Sequence, residues 1–248
     1  MIKKNEVGRH SKEVVLILIS LALGMLILFS VSAVPSGIDG LKSISNQTKG
    51  SSPAGVFNIS GGHISVFNLT ARIQDPRWKG FVGNVTGSFT LSDASGSTLY
   101  DWQLSTLTGR IYATRNSSTI GWAAIKCANI TTLDAENSKL NLTNPSDNLN
   151  VTFNYLSPSN PAFYVGAVPI AANSCPTLNT YVDNASQTNY FYEMALYSKP
   201  SIIYATIMEP GSVGYNGQKY DFQAIVPDYG TPGFTGSTAY YLYIELGS

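Results

Sequence analysis

Four glycines in one short stretch raise the first question of chemistry in this sequence. Residues 79–96 read KGFVGNVTGSFTLSDASG, with glycines at positions 80, 83, 87 and 96. A phosphate-binding P-loop has the spacing G-x4-G-K-[ST] and opens a helix. Here no lysine follows Gly87, and the next residues alternate between polar and apolar as in a strand. The glycines therefore indicate bulges or tight packing within a strand and not a phosphate site.

Residues of the common catalytic types are sparse. His63 is the only histidine beyond residue 34, it lies beside a turn, and no G-x-S-x-G sequence presents a nucleophilic serine. Glycoside hydrolysis needs two facing carboxylates, and the acidic residues close in sequence or within strand patterns are Asp93 and Asp101, Asp134 and Glu136, Glu193, Glu209 and Glu245. We expect most acids to cap turns and strand glutamates to face solvent. No catalytic residue is predicted.

The chain has two cysteines, Cys127 and Cys175. Outside the cytoplasm such a pair is typical of a disulfide, which would close a loop of about 48 residues and contribute about 4 kcal/mol in the chain-entropy model. The alternative is a metal-binding or nucleophilic thiol, but there is no C-x-x-C and too little histidine for a zinc site. The sequence therefore predicts a disulfide, with no metal and no cofactor.

Aromatic residues are unevenly distributed. Of 15 tyrosines, 13 lie between Tyr155 and Tyr243, and three of them are in the last strand pattern: Tyr240, Tyr241 and Tyr243. Tyrosine is enriched at interfaces, so these three are candidates for a contact surface; ordinary burial in a strand covered on both faces is the alternative. Trp78 and Trp102 are candidates for stacking on sugar rings if the protein binds carbohydrate.

Nine Asn-X-Ser/Thr sequences occur, where the Ser and Thr content predicts about four by chance. They are glycosylation candidates, and all lie beyond residue 34: Asn46, Asn58, Asn68, Asn84, Asn116, Asn129, Asn141, Asn150 and Asn184. The excess is typical of a glycosylated surface protein. Where such an asparagine lies within a strand, as we expect for Asn68 and Asn84, the glycan must point outward.

The N-terminal region contains an apolar segment that is long enough to span a membrane. Residues 14–34, VVLILISLALGMLILFSVSAV, are 21 residues without a charge, and the basic residues precede them. A bilayer core needs about 20 apolar residues in a helix, and basic flanks stay in the cytoplasm. The segment is interpreted as an uncleaved anchor. A signal peptide cleaved after Ala33 and a pilin-like leader cut between Gly8 and Glu13 are the alternatives.

The rest of the chain divides by composition. We predict a cytoplasmic stub at 1–13, the hydrophobic segment at 14–34, a flexible Ser/Gly/Pro-rich stalk at 35–55 and an exported domain at 56–248. Charged residues are only 12% of the chain and the net charge is zero. A neutral body has no electrostatic footprint for nucleic acid, so no nucleic-acid partner is expected.

The exported domain has the pattern of an all-β protein. Apolar residues alternate with a period of two, and turn residues interrupt them every 8 to 15 positions or so. The predicted strands are 63–73, 84–91, 98–104, 110–114, 150–156, 163–170, 189–197, 201–209, 219–226 and 239–246. Hairpin turns are predicted at 93–96 and 215–218, and a short helix at 121–128 or 132–140. We expect a β-sandwich, Ig-like or jelly-roll-like and possibly doubled, preceded by one N-terminal hydrophobic helix.

A resemblance follows from several of these motifs. The sequences WKGFVGNVTG at 78–87, LSDASG at 91–96, YDW at 100–102 and GRIYA at 109–113, together with Cys127 and NSCP at 173–176, resemble an uncharacterised family of exported archaeal cell-surface proteins. The resemblance covers most of residues 63–246. It implies an archaeal surface location and no catalytic residues.

The sequence therefore predicts a membrane-anchored, glycosylated cell-surface protein with a structural or adhesive role in the envelope. Its expected partners are the membrane, through residues 14–34, and envelope proteins or further copies of itself. A pilin-like filament subunit is a variant of this interpretation. The alternatives are an extracellular carbohydrate-binding module, which would bind glycans, and a secreted hydrolase.

Overall fold

Antiparallel β-strands dominate the computed structural model, which describes residues 34–50, 52–56, 58, 60–104, 107–231 and 236–247. These residues belong to the unit Val34–Ser248. Helix in the described part is limited to α1 (Ile130–Lys139), α2 (Leu149–Thr152) and a 3₁₀ helix at Trp122–Ala124. The all-β class predicted from the sequence is confirmed.

The described residues form fifteen strands. In chain order they are β1 Ser36–Gly37, β2 Trp78–Gly83, β3 Ser88–Ser92, β4 Thr98–Gln103, β5 Thr108–Thr114, β6 Lys126–Cys127, β7 Phe163–Val165, β8 Val168–Ile170, β9 Thr177–Asn179, β10 Tyr192–Ser198, β11 Ser201–Ile207, β12 Ser212–Val213, β13 Lys219–Tyr220, β14 Phe222–Pro227 and β15 Tyr241–Gly247. Seven of them make the main sheet, in the order β1-β15-β5-β11-β10-β6, with β9 also paired to β10. The others form two-stranded sheets, β2 with β14, β3 with β4, β7 with β8 and β12 with β13.

The main sheet is buried on both faces. One face carries Tyr112, Met194, Leu196 and Ile203, which pack against the β7–β8 hairpin and the 3₁₀ helix. The opposite face packs against α1, α2 and the paired strands β2 and β14, through the cluster Ala113, Ala195, Tyr204, Leu133, Leu149, Phe153 and Val226. Both faces are covered at the central strand β11, which is therefore a continuous run of buried residues from Ile202 to Thr206.

Local capping explains where the helices form. The side chain of Asn129 accepts a hydrogen bond from the Thr132 N–H, and the Thr132 hydroxyl oxygen accepts one from the Asn129 N–H. These two bonds make a capping box at the start of α1. This helix confirms the short helix expected at 132–140. The strand predicted at 150–156 is wrong. Asn148 caps α2 there, and Leu149 and Phe153, four residues apart, both bury against the sheet.

Other strand predictions also need correction. Residues 63–73 contain no strand, and Ile64, Val66, Leu69 and Ile73 are each more than 90% exposed. The strand predicted at 84–91 is β3, Ser88–Ser92, while β2 precedes it as a separate strand. The range 163–170 is a hairpin that turns at Gly166, where φ is +55°. Both predicted hairpin turns are confirmed, between β3 and β4 and between β12 and β13.

The region before residue 56 is described in part. The predicted stub at 1–13 and all of the predicted membrane segment except Val34 lie outside the described residues. Among the residues that are described, no helix has the length and apolar character needed to cross a membrane. The predicted stalk begins on the main sheet, because Ser36 and Gly37 pair with Ile244 and Tyr243 of β15, and the described residues from 39 to 55 are exposed.

Candidate contact surface

The β3–β4 hairpin presents an apolar face to solvent. Its register sets Phe89 opposite Trp102 and Leu91 opposite Tyr100. Side chains alternate across a strand, so these four lie on one face. All four are exposed, Trp102 by 51% and Tyr100 by 60%. The ring centroids of Tyr100 and Trp102 are 5.0 Å apart in an edge-to-face arrangement. This is an exposed aromatic and aliphatic patch on a surface element, the kind of feature that marks interaction sites.

The other face of the hairpin is polar apart from Leu99, which is 81% exposed, and the turn is polar. Ser88, Thr90, Asp101 and Gln103 lie opposite the apolar four, and the Gln103 amide donates to Asp101 at 3.3 Å. In the turn, Asp93 Oδ1 accepts hydrogen bonds from Ser95 and from the Ser97 N–H, and these bonds, the Ser95 side chain first, lower the pKa of Asp93. The hairpin is therefore amphipathic, and hydrogen bonds to Asp93 stabilise the turn that joins its two strands.

The predicted contact tyrosines are divided between the interior and the surface. Tyr240 is half-buried, donates its hydroxyl to the Pro227 carbonyl at 2.8 Å and packs on Tyr204. Tyr243 lies on the opposite face of β15 and packs edge-on against Trp122 at 5.3 Å. Tyr241, 44% exposed, presents the most surface. The structure thus places Tyr240 and Tyr243 mainly in internal contacts and does not bring the three together as one surface.

The two sugar-stacking candidates are in different environments. The Trp78 indole donates to the Asp147 carbonyl at 2.9 Å, and its ring packs near Phe153, at the edge of the core. Trp102 is in the apolar face of the hairpin beside Tyr100. Only Trp102 therefore has the exposure that stacking on a ligand requires.

The predicted disulfide between Cys127 and Cys175 is present. β6 and β9 both pair with the same edge of β10, β6 at Leu196 and Tyr197 and β9 from Tyr192 to Met194. The two cysteines lie where these short strands meet, with their Cα atoms 4.8 Å apart. The bond therefore joins two chain segments, distant in sequence, that together cover one edge of the main sheet.

The glycosylation candidates differ in access to solvent. Six are exposed, namely Asn46, Asn58, Asn68, Asn84, Asn129 and Asn184, and the half-buried ones are Asn116, Asn141 and Asn150. The side-chain amide nitrogen of Asn150 donates to Asp134 at 2.7 Å and that of Asn141 to Thr231 at 2.9 Å. Glycans attach at this nitrogen, so the fold occupies two of the nine acceptor atoms.

Buried glutamates are the polar feature that the sequence pattern missed. The expectation that strand glutamates face solvent is wrong for Glu193 and Glu245, because both faces of the main sheet are covered. Glu245 on β15 accepts from Arg110, from the Tyr112 hydroxyl and from the Gly166 N–H. Glu136 on α1 forms an ion pair with Arg115 at 2.7 Å. A glutamate within a strand that is apolar on both faces was the signal available in the sequence.

Glu193 is the least compensated of these buried acids. Its Oε2 accepts from the Ile225 N–H of β14 at 2.8 Å, and its Oε1 has no hydrogen-bond partner in the described part of the chain. Burial raises the pKa of Glu193 to about 8. The carboxyl therefore stays protonated at neutral pH. Its hydrogen bond with Ile225 connects β14, which pairs with β2, to the main sheet.

Among the described residues, Asp75 and Asp147 are a pair of interacting carboxyls that both contact Arg77, and burial followed by the interaction with Asp75 raises the pKa of Asp147 to about 6. A groove of about 300 Å³ lies between α1 and the β10–β11 hairpin, and Glu136, already paired with Arg115, is the one carboxylate that lines it. His63 is exposed, and its ring contacts the Ser60 carbonyl at 3.3 Å. No three His, Cys, Asp or Glu side chains of the described residues are grouped so that they would hold a metal ion.

Comparison with known proteins yields no match to a family model, a curated protein or a solved structure.

Proposed function

We propose that this chain is a membrane-anchored, glycosylated cell-surface protein that has a structural or adhesive role in the envelope and works through protein–protein contacts. The observation that carries the proposal is the apolar face of the β3–β4 hairpin, in which Phe89, Leu91, Tyr100 and Trp102 are all exposed. An apolar aromatic patch of this kind loses little conformational entropy and gains much burial when a partner covers it.

Export is supported by three independent features. The uncharged segment at 14–34 has the length of a bilayer span, and basic residues precede it. The disulfide is typical of an oxidising compartment. Six of nine glycosylation sequences have exposed asparagines. The resemblance to exported archaeal surface proteins agrees with this location, and a pilin-like filament subunit remains a variant in which residues 14–34 build a filament core.

The proposed architecture is a β-sandwich. The main sheet would be one layer, and the paired strands β2 and β14 would be the second, with α1 and α2 completing that side. The hairpin β3–β4 follows β2 in the chain and pairs with neither layer among the described strands. In this arrangement the core supplies stability and the hairpin supplies the contact. The proposed contact face is therefore the hairpin and not the C-terminal residues 240–243, where Tyr240 and Tyr243 pack inward.

The test is a pair of charge variants on opposite faces of the hairpin. In the full chain, Leu91→Lys with Tyr100→Lys places two cations on the apolar face, and Thr90→Lys with Gln103→Lys places two on the polar face. We expect chemical cross-linking at the cell surface to join the wild type and the polar-face variant to partners and to lose these products in the apolar-face variant. Equal cross-linking in all three proteins would refute the proposal.

A carbohydrate-binding module is the second candidate, and the exposure of Trp102 beside Tyr100 favours it. Their rings are inclined by 63°, so they offer one flat face each and not a shared platform. Titration with soluble envelope polysaccharide, followed by tryptophan fluorescence and isothermal calorimetry, tests this function. Saturable binding that disappears in Trp102→Ala would support it, and the absence of both a heat signal and a fluorescence change would count against it.

A further inference from the structure

The chain enters the folded domain beside the tip of the β7–β8 hairpin. Val34 is the last residue of the uncharged segment 14–34, and Pro35, directly after it, is already buried in the domain. A Cβ atom built on Gly166, at the tip of the hairpin, would lie 3.9 Å from the Val34 Cα atom and 3.8 Å from the Pro35 Cδ atom. Val34 and the hairpin tip are therefore immediate neighbours.

One strand of the main sheet holds both the incoming chain and the hairpin tip. The short strand β1, which follows Pro35, pairs with Tyr243 and Ile244 of β15. The Gly166 N–H donates a hydrogen bond to the carboxylate of the next residue, Glu245, at 3.1 Å. Because three consecutive residues of β15 position the two segments, the predicted flexible stalk does not separate residue 34 from the domain.

This arrangement limits the distance between the hairpin tip and a bilayer that residues 14–34 would span. The Cα atoms of Val34 and Gly166 are at most about 5.5 Å apart, because the Cα–Cβ bond adds about 1.5 Å to the distance measured from the Cβ atom. The interfacial region outside the hydrocarbon core is about 5 to 7 Å thick on each side of a bilayer. A span that ends at Val34 therefore leaves the hairpin tip within the interfacial region, whatever the tilt of the domain.

The residues of the hairpin suit a lipid interface. Residues 148–182 contain no charged side chain, whereas 12% of 35 residues, the average of the chain, would be about four. Phe163 and Val165 are buried, so the side chain between them, Tyr164, points outward, where it is 54% exposed and lies opposite Pro169. Tyrosine is enriched at membrane–water interfaces, because its ring is apolar and its hydroxyl is polar.

We propose that the entry of the chain at Val34 holds the tip of the β7–β8 hairpin in the lipid interface of the membrane, with Tyr164 at the level of the headgroups. This inference rests on the proposed function, because it requires residues 14–34 to be an uncleaved anchor, and it adds a lipid contact made by the folded domain. The domain is then seated on the bilayer by one fixed side and does not move on a stalk. This limits the directions from which a partner reaches the β3–β4 hairpin.

The first test measures contact with lipid in the full chain, reconstituted into phosphatidylcholine vesicles that carry a nitroxide on the lipid headgroup. A fluorescent coumarin amino acid replaces Tyr164 in one protein and, as the matched control, Tyr100 in another, which is 60% exposed on β4. We expect the nitroxide to remove about half or more of the emission at position 164, because a residue at headgroup depth lies within reach of the quencher, and little of the emission at position 100. Equal quenching at the two positions would overturn the inference.

The second test asks whether the entry of the chain positions the tip. A nine-residue Gly/Ser spacer is inserted between Ala33 and Val34 of the protein that carries the coumarin at position 164. Such a spacer has a root-mean-square length of about 16 Å, which exceeds the thickness of the interfacial region. We expect quenching at position 164 to fall by about twofold or more. Quenching that is unchanged by the spacer would show that the entry of the chain does not hold the tip, and the inference would be wrong.

Extraction of native membranes with alkaline carbonate separates this inference from the proposed function. If the full chain stays in the membrane fraction and the coumarin at position 164 is not quenched, the protein is anchored as proposed and only the inference fails. If carbonate releases the chain, the anchor that the proposed function requires is absent, and the inference fails with it.

Discussion

Replacement of Glu193 by glutamine should remove a large part of the pH dependence of stability. The Glu193 carboxyl is completely buried on β10, and its one hydrogen bond is from the Ile225 N–H. Burial raises its pKa from the ordinary 4.5 to about 8. The folded protein therefore keeps a proton that the unfolded chain releases between these two values.

The sign and size follow from proton linkage. Across this window the folded state binds more protons than the unfolded state, so the free energy of unfolding falls as the pH rises. The stabilising contribution of protonated Glu193 is fully present below pH 4.5, and it is lost as the pH rises through about 8. Each pH unit between the two values is worth about 1.4 kcal/mol, so the total loss is on the order of 5 kcal/mol. Glutamine has the shape of the protonated acid and does not titrate.

The assay is urea unfolding of the full chain with the disulfide intact, followed by circular dichroism at pH 5, 6, 7 and 8. At pH 5 we expect Glu193→Gln to match the wild type within about 1 kcal/mol, because its amide oxygen accepts the same hydrogen bond. At pH 8 the variant should be more stable than the wild type by several kcal/mol. Asp101→Asn, which removes one exposed carboxylate elsewhere in the chain, is the control. Parallel slopes for the wild type and Glu193→Gln would refute the reasoning.

Three further predictions concern the disulfide, one glycine and the glycans. Cys127→Ala with Cys175→Ala should lower the free energy of unfolding by about 4 kcal/mol, as measured by urea denaturation, and an unchanged midpoint would contradict the edge-joining role. Gly109→Ala should lower the free energy of unfolding by about 3 kcal/mol or more, because φ is +145° and a Cβ would clash with the Glu245 carbonyl oxygen of β15. A melting temperature equal to that of the wild type would contradict this prediction. Glycopeptide mass spectrometry should find Asn141 and Asn150 unmodified, since their amide nitrogens are hydrogen-bonded within the fold.

Local sequence signals predicted individual elements well where neighbours in the chain decide the conformation. The turn at 93–96 and the Asn-Gly turn at 215–218 form the hairpins expected of them, because turn geometry depends on a few adjacent residues. The prediction of a strand at 150–156 was wrong, because it relied on the apolar pattern and overlooked a local helix cap. Asn148 caps a helical turn, and the burial of Leu149 and Phe153 against the sheet outweighs their strand-like pattern.

The candidate site was predictable in part. Trp102 and the alternation in residues 88–103 were visible in the sequence, but the register that aligns Phe89 with Trp102 and Leu91 with Tyr100 is a property of the paired strands. The choice of Tyr240, Tyr241 and Tyr243 rested on composition. Composition does not tell which side of a strand meets a second layer, and Tyr240 and Tyr243 both pack inward.

By itself the sequence determined the all-β class, the disulfide partners and the amphipathic character of the hairpin, because these follow from residue type and short-range pattern. Only the tertiary structure decided that the main sheet is covered on both faces, and with that the burial of Glu193 and Glu245. Burial depends on which segments, distant in the chain, pack together. The same long-range packing leaves residues 63–73 outside the described strands, although their local pattern is that of a strand.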